Sequence, residues 1–280
     1  MGIRIKCLPE GPACLNIGCG TRFFPEWTNV DLAPARGVQA WDIRKSLPCD
    51  SGVFDATYSS HLLEHLTPAS GRAFLAEQFR LLKPSGICRI VVPDLETICR
   101  EYLHHLETAA VEPTRESLLR YHWMLLELLD QMTREQSGGL MRQALERGEF
   151  DEAFVRQRMG DQFARYYRTP SGQLPAAKRP PSLGHSLGRR VKQTLRTLGG
   201  QSSDPRQSGE AHKWMYDRLS LRLLFADVGF ENFTVCSFDE STIPHWNRYN
   251  LDKSLAGDHP RKPDSLYVEA RKPMRGTAQQ

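Results

Sequence analysis

Leu15-Asn16-Ile17-Gly18-Cys19-Gly20, followed closely by Asn29-Val30-Asp31, is the stretch on which the fold turns. A short apolar run that stops at G-x-G reads as a buried strand whose end lets the backbone approach a ligand, because glycine has no Cβ in the way. The acid that ends the next apolar run stands where it can accept both hydroxyls of a ribose. A dinucleotide site would need a third glycine, G-x-G-x-x-G, and a helix whose N-terminus holds the pyrophosphate. Here Gly20 is followed by Thr21-Arg22-Phe23-Phe24-Pro25, and no helix of that length fits before the next strand. The pattern therefore suits a nucleoside without phosphates.

Strand and helix signals alternate outward from this point. VQAWDI and VFDATYSS read as the third and fourth strands. A helix is expected over roughly Pro68 to Leu82, with Phe74, Leu75, Phe79 and Leu82 inward and a stop at Lys83-Pro84-Ser85-Gly86. ICRIVVP, apolar enough to be buried on both faces, reads as a fifth strand. ENFTVCSF and SLYVEARK bring the sheet to seven. Strands separated by helices or short connections imply an α/β, doubly wound, mostly parallel sheet.

Between the fifth and sixth strands the chain changes character. Residues from about Leu95 to Arg168 read as helix, with Leu118, Tyr121, Leu125, Leu128 and Met132 as the core-facing stripe. Residues 169–209 are rich in Pro, Gly and Ser and carry seven Lys or Arg against one acid, Asp204. Within 183–198, Leu183, Leu187, Val191, Leu195 and Leu198 recur among the basic residues, the pattern of an amphipathic contact with an anionic membrane. Composition favours a flexible, solvated linker over that reading. HKWMYDRLSLRLLFADVGF restores order as a helix ended by glycine, with Leu219, Leu223 and Val228 inward. The expected organisation is 1–103 as the first half of the sheet domain, 104–168 as a helical insert or lid, 169–210 as linker, 211–273 as the second half, and 274–280 as a disordered tail.

Composition bounds the rest. A chain of 280 residues with 40% hydrophobic and 25% charged residues is globular. No apolar run is long enough to span a bilayer or form a signal peptide. Seven cysteines, an odd count with no C-x-x-C pair, read as reduced thiols of a cytoplasmic protein. A net charge of +4 gives no reason to expect nucleic acid.

One motif competes with the nucleoside reading. His61-Leu62-Leu63-Glu64-His65 has the H-x-x-E-H spacing of inverted zinc proteases. No third ligand stands out downstream, and the motif starts directly after a strand. No metal is therefore expected. Ser60 reads instead as a helix cap, Leu62, Leu63 and Leu66 as its buried face, and Glu64 and His65 as structural.

Taken together, LNIGCG, NVDL, WDIRKSLPCDSGVFD, YSSHLLEHL, RLLKPSGICRIVVPD and, downstream, HKWMYDRLSLRLLFADVGF with KPDSLYVEARK resemble the class I S-adenosylmethionine-dependent methyltransferases. The likeness is to the methyltransferase type 11 group often linked to glycan biosynthesis, and it covers Ala13 to Leu103 and Ala211 to Lys272. It implies a Rossmann-like seven-stranded sheet with a helical insertion, and S-adenosylmethionine as cofactor. It implies cofactor contacts from Asn16, Gly18, Cys19, Gly20, Asp31, Leu32, Asp42, Ile43, Ser60 and His61. Of these, Gly18 and Gly20 would pass under the methionine part and Asp31 would take the ribose. Asp42 and Ile43 would flank the adenine, and Ser60 and His61 would face the methyl group. The interval from Gly20 to Asp31 is shorter than the family's, so its first helix would be vestigial.

The resemblance further implies methylation of a small-molecule or saccharide acceptor, with a sugar or glycan-precursor hydroxyl foremost. A hydroxyl acceptor needs a base, for which His61 and His212 are the candidates. Lys213, Trp214 and Tyr216 could meet the acceptor, or simply cap and pack a helix. Methylation of another small molecule, zinc hydrolysis at H-x-x-E-H, and cofactor binding without catalysis are the alternatives.

Overall fold

Seven strands build one sheet: β1 (Cys14–Ile17), β2 (Thr28–Asp31), β3 (Gln39–Ala40), β4 (Phe54–Ser60), β5 (Leu82–Pro93), β6 (Glu231–Cys236) and β7 (Ser265–Arg271). Their order is β3-β2-β1-β4-β5-β7-β6. The first five run parallel, with Ile17 beside both Val30 and Ser59 and with Ser60 beside Val91. β7 is antiparallel to β5, and Ser265 pairs with Pro93. The computed structural model describes residues 13–167 and 210–274. The basic segment 183–198 and the residues from 275 onward lie outside the described residues. Among the described residues no helix is long and apolar enough to cross a membrane.

The chain divides into two compact units, 1–96 with 214–280, and 97–213. In the first, α1 (Pro68–Leu81) covers one face of the sheet. It begins where expected because Pro68 occupies the first turn and the Thr67 side chain accepts from the Ser70 amide. Leu15, Ile17, Phe54, Phe74, Leu75 and Val92 form the core beneath it. The turn expected at Lys83–Gly86 is instead carried inside β5, as a register shift between β4 and β5 and a left-handed Ser85. A second helix crosses this face, Arg218–Val228, which the Asp217 capping box starts and left-handed Gly229 stops. Its buried residues are Leu221 and Phe225, whereas Leu219 and Leu223 face outward. Of the inward face expected from hydropathy, Val228 does pack against the core, and Leu219 and Leu223 are corrected.

Among the described residues of this unit, no long helix packs on the opposite face. Aromatic side chains cover it: Trp27, Tyr58, Trp246 and Tyr249 pack edge-on or tilted with centroids 4.9–6.4 Å apart. As the short interval implies, no helix lies between β1 and β2. Arg89 of β5 is fully buried beneath these rings. Its guanidinium meets Asp252 at 2.9 Å and Glu269 at 2.8 Å, donates to the carbonyls of Ser237 and Glu240, and stacks 4.4 Å from the Trp246 centroid. Tyr58 donates to the other oxygen of Asp252 at 2.5 Å. This network ties the irregular segment after β6 onto the sheet.

The second unit is helical. α2 (Leu95–Val111) begins at the end of the first unit, and residues 97–103 go with the helices because α2 runs unbroken. α3 (Arg115–Thr133), α4 (Gly139–Arg147), α5 (Glu152–Met159) and α6 (Phe163–Tyr166) follow. The buried face of α3 is Ser117, Trp123, Met124, Leu126, Glu127 and Asp130, not the apolar stripe expected, whose Leu118 and Met132 are exposed. The carboxylates turn inward because each has partners. Glu127 meets Arg158 at 2.6 Å and accepts from the Trp123 indole, while Asp130 accepts from the Leu140 amide at the start of α4 and pairs with Arg134.

Candidate active site

The order of the strands reverses between β1 and β4, and open α/β sheets bind ligands outside the carboxyl ends at such a switch point. β1 ends there in Gly18 and Gly20, both with positive φ. Their environments differ. A Cβ on Gly18 would come within 2.8 Å of the Leu62 side chain, so a larger residue there would have to push Leu62 aside. A Cβ on Gly20 would meet nothing within 4 Å, so its backbone faces open space, as close approach of a ligand requires. Asp31 at the end of β2 is partly exposed, and it accepts from the amides of Gly20 at 2.8 Å and Ala33 at 3.0 Å. Each carboxylate oxygen keeps a lone pair for a further donor.

Asn16 is buried, and its side-chain amide donates to the Arg22 carbonyl, which shapes the loop after Gly20. Cys19 is buried, and burial pushes its thiol up to about 11 with Asp31 adding to the effect. Leu32 is exposed. Asp42 follows β3 and is gripped by Arg44 at 2.9 and 2.8 Å, a hydrogen-bonded pair that holds its carboxyl below the usual range. It also accepts from the Arg44 amide, so it caps a turn and no helix follows. Ile43 packs against the core.

β4 delivers Ser60 and His61 to the same edge. No helix begins here: His61 is left-handed with φ +53°, Leu63–His65 form a single 3-10 turn, and α1 waits until Pro68. This corrects the helix expected over HLLEH and the cap expected of Ser60. It also removes the helical spacing on which a zinc-protease motif depends. Glu64 is only 1% exposed. It lies 3.3 Å from His61 Nδ1 and 3.9 Å from His65 Nε2. Burial raises its pKa above the ordinary carboxylate range, against the pull of Lys262. His61 Nε2 lies 2.9 Å from the Ser265 hydroxyl.

The loop between Asp252 and Ser265 borders this edge, a placement that sequence reading missed. Arg22 donates to the Lys253 carbonyl, and Arg261 reaches the Ser60 hydroxyl at 3.4 Å. The only signal in LDKSLAGDHPRKPDS is its density of cations, Pro and Gly, without periodicity.

The downstream candidates are divided. His212 is buried in the helical unit, where its amide donates to the Gln131 carbonyl. Lys213 and Trp214 are exposed. Tyr216 is buried in the sheet unit's core, and burial, reinforced by Glu64, pushes its phenol up to about 12.

Residues 15–90 match a family model described as a methyltransferase domain. No curated protein matches the chain at a significant level. Among solved structures the chain is similar to S-adenosylmethionine-dependent methyltransferases of three organisms. With that of Archaeoglobus fulgidus it shares 14% identity over 95% of this chain and 88% of the other, with a TM-score of 0.38. With that of Methanosarcina mazei the values are 14%, 96%, 96% and 0.38. With that of Thermotoga maritima they are 12%, 96%, 85% and 0.38. Likeness at this level says nothing of an acceptor.

Proposed function

We propose that this chain, a class I S-adenosylmethionine-dependent methyltransferase with S-adenosylmethionine as its cofactor, methylates a hydroxyl of a sugar or glycan precursor. The observation that carries the site assignment is the open backbone at Gly20 beside Asp31, at the switch point of the sheet. In this reading Gly20 lies under the methionine part of the cofactor. Asp31 accepts the ribose hydroxyls with its remaining lone pairs, and Asp42 and Ile43 border the adenine. Ser60 and His61 face the methyl group. S-adenosylmethionine supplies the methyl on a sulfonium, a leaving group that needs no proton. The chain's own residues then have to orient the acceptor and take its proton. We assign the base to His61. Lys213 and Trp214 offer an exposed cation and ring to a saccharide, while Tyr216 packs.

Calorimetric titration with S-adenosylmethionine and S-adenosylhomocysteine tests the cofactor site. Asp31→Ala should weaken both by roughly 10- to 100-fold, since a charge-assisted hydrogen bond contributes about 1.5–3 kcal/mol. Unchanged affinity would remove Asp31 from the site. Incorporation of labelled methyl into a saccharide extract tests the acceptor class.

The reading places the protein in the cytoplasm, with the basic residues of 183–198 touching an anionic membrane or a phosphate-bearing acceptor. Deleting residues 170–209 should then reduce partitioning onto phosphatidylserine vesicles, an effect weakened by salt. Equal partitioning with and without the segment would refute the membrane contact.

A further inference from the structure

Two costly features meet at the carboxyl end of β4. Glu64 is a buried carboxylate neither of whose oxygens has a hydrogen bond among the described residues. An acid left this way costs stability, and a functional role is one reason for a fold to keep it. Three residues before it, His61 is a non-glycine residue held in the left-handed region. Backbone strain of this kind costs on the order of 1–3 kcal/mol and clusters at functional sites. The same imidazole joins two groups. Nδ1 faces Glu64 at 3.3 Å, and Nε2 faces Ser265 Oγ at 2.9 Å. The His61 ring is nearly buried and Ser265 is half-buried. Carboxylate, imidazole and hydroxyl thus lie beside one another at the edge where the methyl group would be presented.

We propose that Ser265 and His61 carry the proton away from the acceptor hydroxyl, with Glu64 as the positioning residue whose charge favours the Nδ1–H tautomer and makes Nε2 the acceptor. The inference rests on the hydroxyl-acceptor reading above. Burial raises the Glu64 pKa to about 7, so above that pH it is ionised and only accepts, which puts the proton on Nδ1 and makes Nε2 the acceptor from Ser265. As the acceptor oxygen forms its bond to the methyl carbon, the carbon–sulfur pair stays on sulfur, the acceptor proton passes to Ser265 Oγ, and the Ser265 proton passes to Nε2. The resulting imidazolium lies beside the Glu64 carboxylate, which stabilises it. The proton count closes, and no oxidant, reductant or metal is involved.

Two measurements test this. Long-range 1H–15N correlation of the imidazoles, at about pH 8 to keep imidazole neutral, reads the tautomer without any acceptor. The His61 signal is identified by its loss in His61→Gln. The expected result is Nδ1–H with an unprotonated Nε2, shifting to Nε2–H in Glu64→Met. A wild-type His61 already in the Nε2–H form would overturn the proposal.

The second measurement is transfer of labelled methyl from S-adenosylmethionine to a saccharide extract at saturating cofactor. Glu64→Met and Ser265→Ala should each lower the rate by about 10²- to 10⁴-fold, with calorimetric cofactor affinity retained. Glu64→Gln, nearly the same in shape, should lose rate while unfolding at the wild-type temperature. Wild-type rates in Glu64→Gln and Ser265→Ala would sink the relay. Label found only on amines, with the Nδ1–H tautomer intact, would instead refute the hydroxyl reading and leave the positioning by Glu64 standing.

Discussion

Asp252→Ala should lower the stability of the sheet unit by about 3–5 kcal/mol, the usual cost of removing one partner from a buried ion pair. Arg89 is fully buried, so its charge cannot turn to water. Glu269 would remain at 2.8 Å, but it already accepts from the Ser241 hydroxyl and from the Thr242 amide and hydroxyl. The Tyr58 hydroxyl would lose its acceptor at the same time. Asp252→Asn keeps an acceptor for Tyr58 and should recover part of the loss. Urea unfolding followed by circular dichroism checks both variants. A change under 1 kcal/mol for Asp252→Ala would mean that the pairing is not needed. The Asp252 carbonyl accepts from the Arg261 amide in the loop that leads to Ser265, a backbone bond that both substitutions leave in place.

Phe225→Ala should destabilise the same unit by about 3–5 kcal/mol, and Leu223→Ala should stay within about 0.5 kcal/mol. Phe225 is fully buried, with ring centroids 5.1 Å from Phe230 and 5.5 Å from Phe233, and its loss leaves a cavity in the core. Leu223 is 61% exposed and leaves none. Equal effects from the two substitutions would show the helix to be turned as its hydropathy alone implies. Asp217 decides the matter. Its side chain accepts from the Leu219 and Ser220 amides, and the helix starts at Arg218 in the phase that this cap sets.

Both cases show how far sequence reading reaches. Seven strands, the helix at Pro68, the glycine stop at Gly229 and the loop without a helix after Gly20 all follow from local signals, namely period, cap and breaker. The inward faces of Arg218–Val228 and α3 do not. Hydropathy ranks Leu219 and Leu118 above Ser117 and Asp130, yet a carboxylate turns inward when partners wait for it, and Arg158 stands 31 residues from Glu127. The positions of Gly18, Gly20 and Asp31 at one edge are legible because each ends a strand. The difference between the two glycines is not, since only the fold brings Leu62 against one of them.

The chain by its own local chemistry specifies an α/β sheet with a nucleoside-type G-x-G edge and an acid beside it, because strand ends and missing Cβ atoms are properties of neighbouring residues. HLLEH, read on its spacing, offers a metal motif or a helix start. Its carboxylate and imidazole gain a hydroxyl neighbour only when β7 returns antiparallel to β5 and sets Ser265 beside His61, a pairing across 204 residues. No local periodicity encodes such a contact. It comes from the order of strands in the sheet and from the buried Arg89 network that fixes where the intervening loop lies.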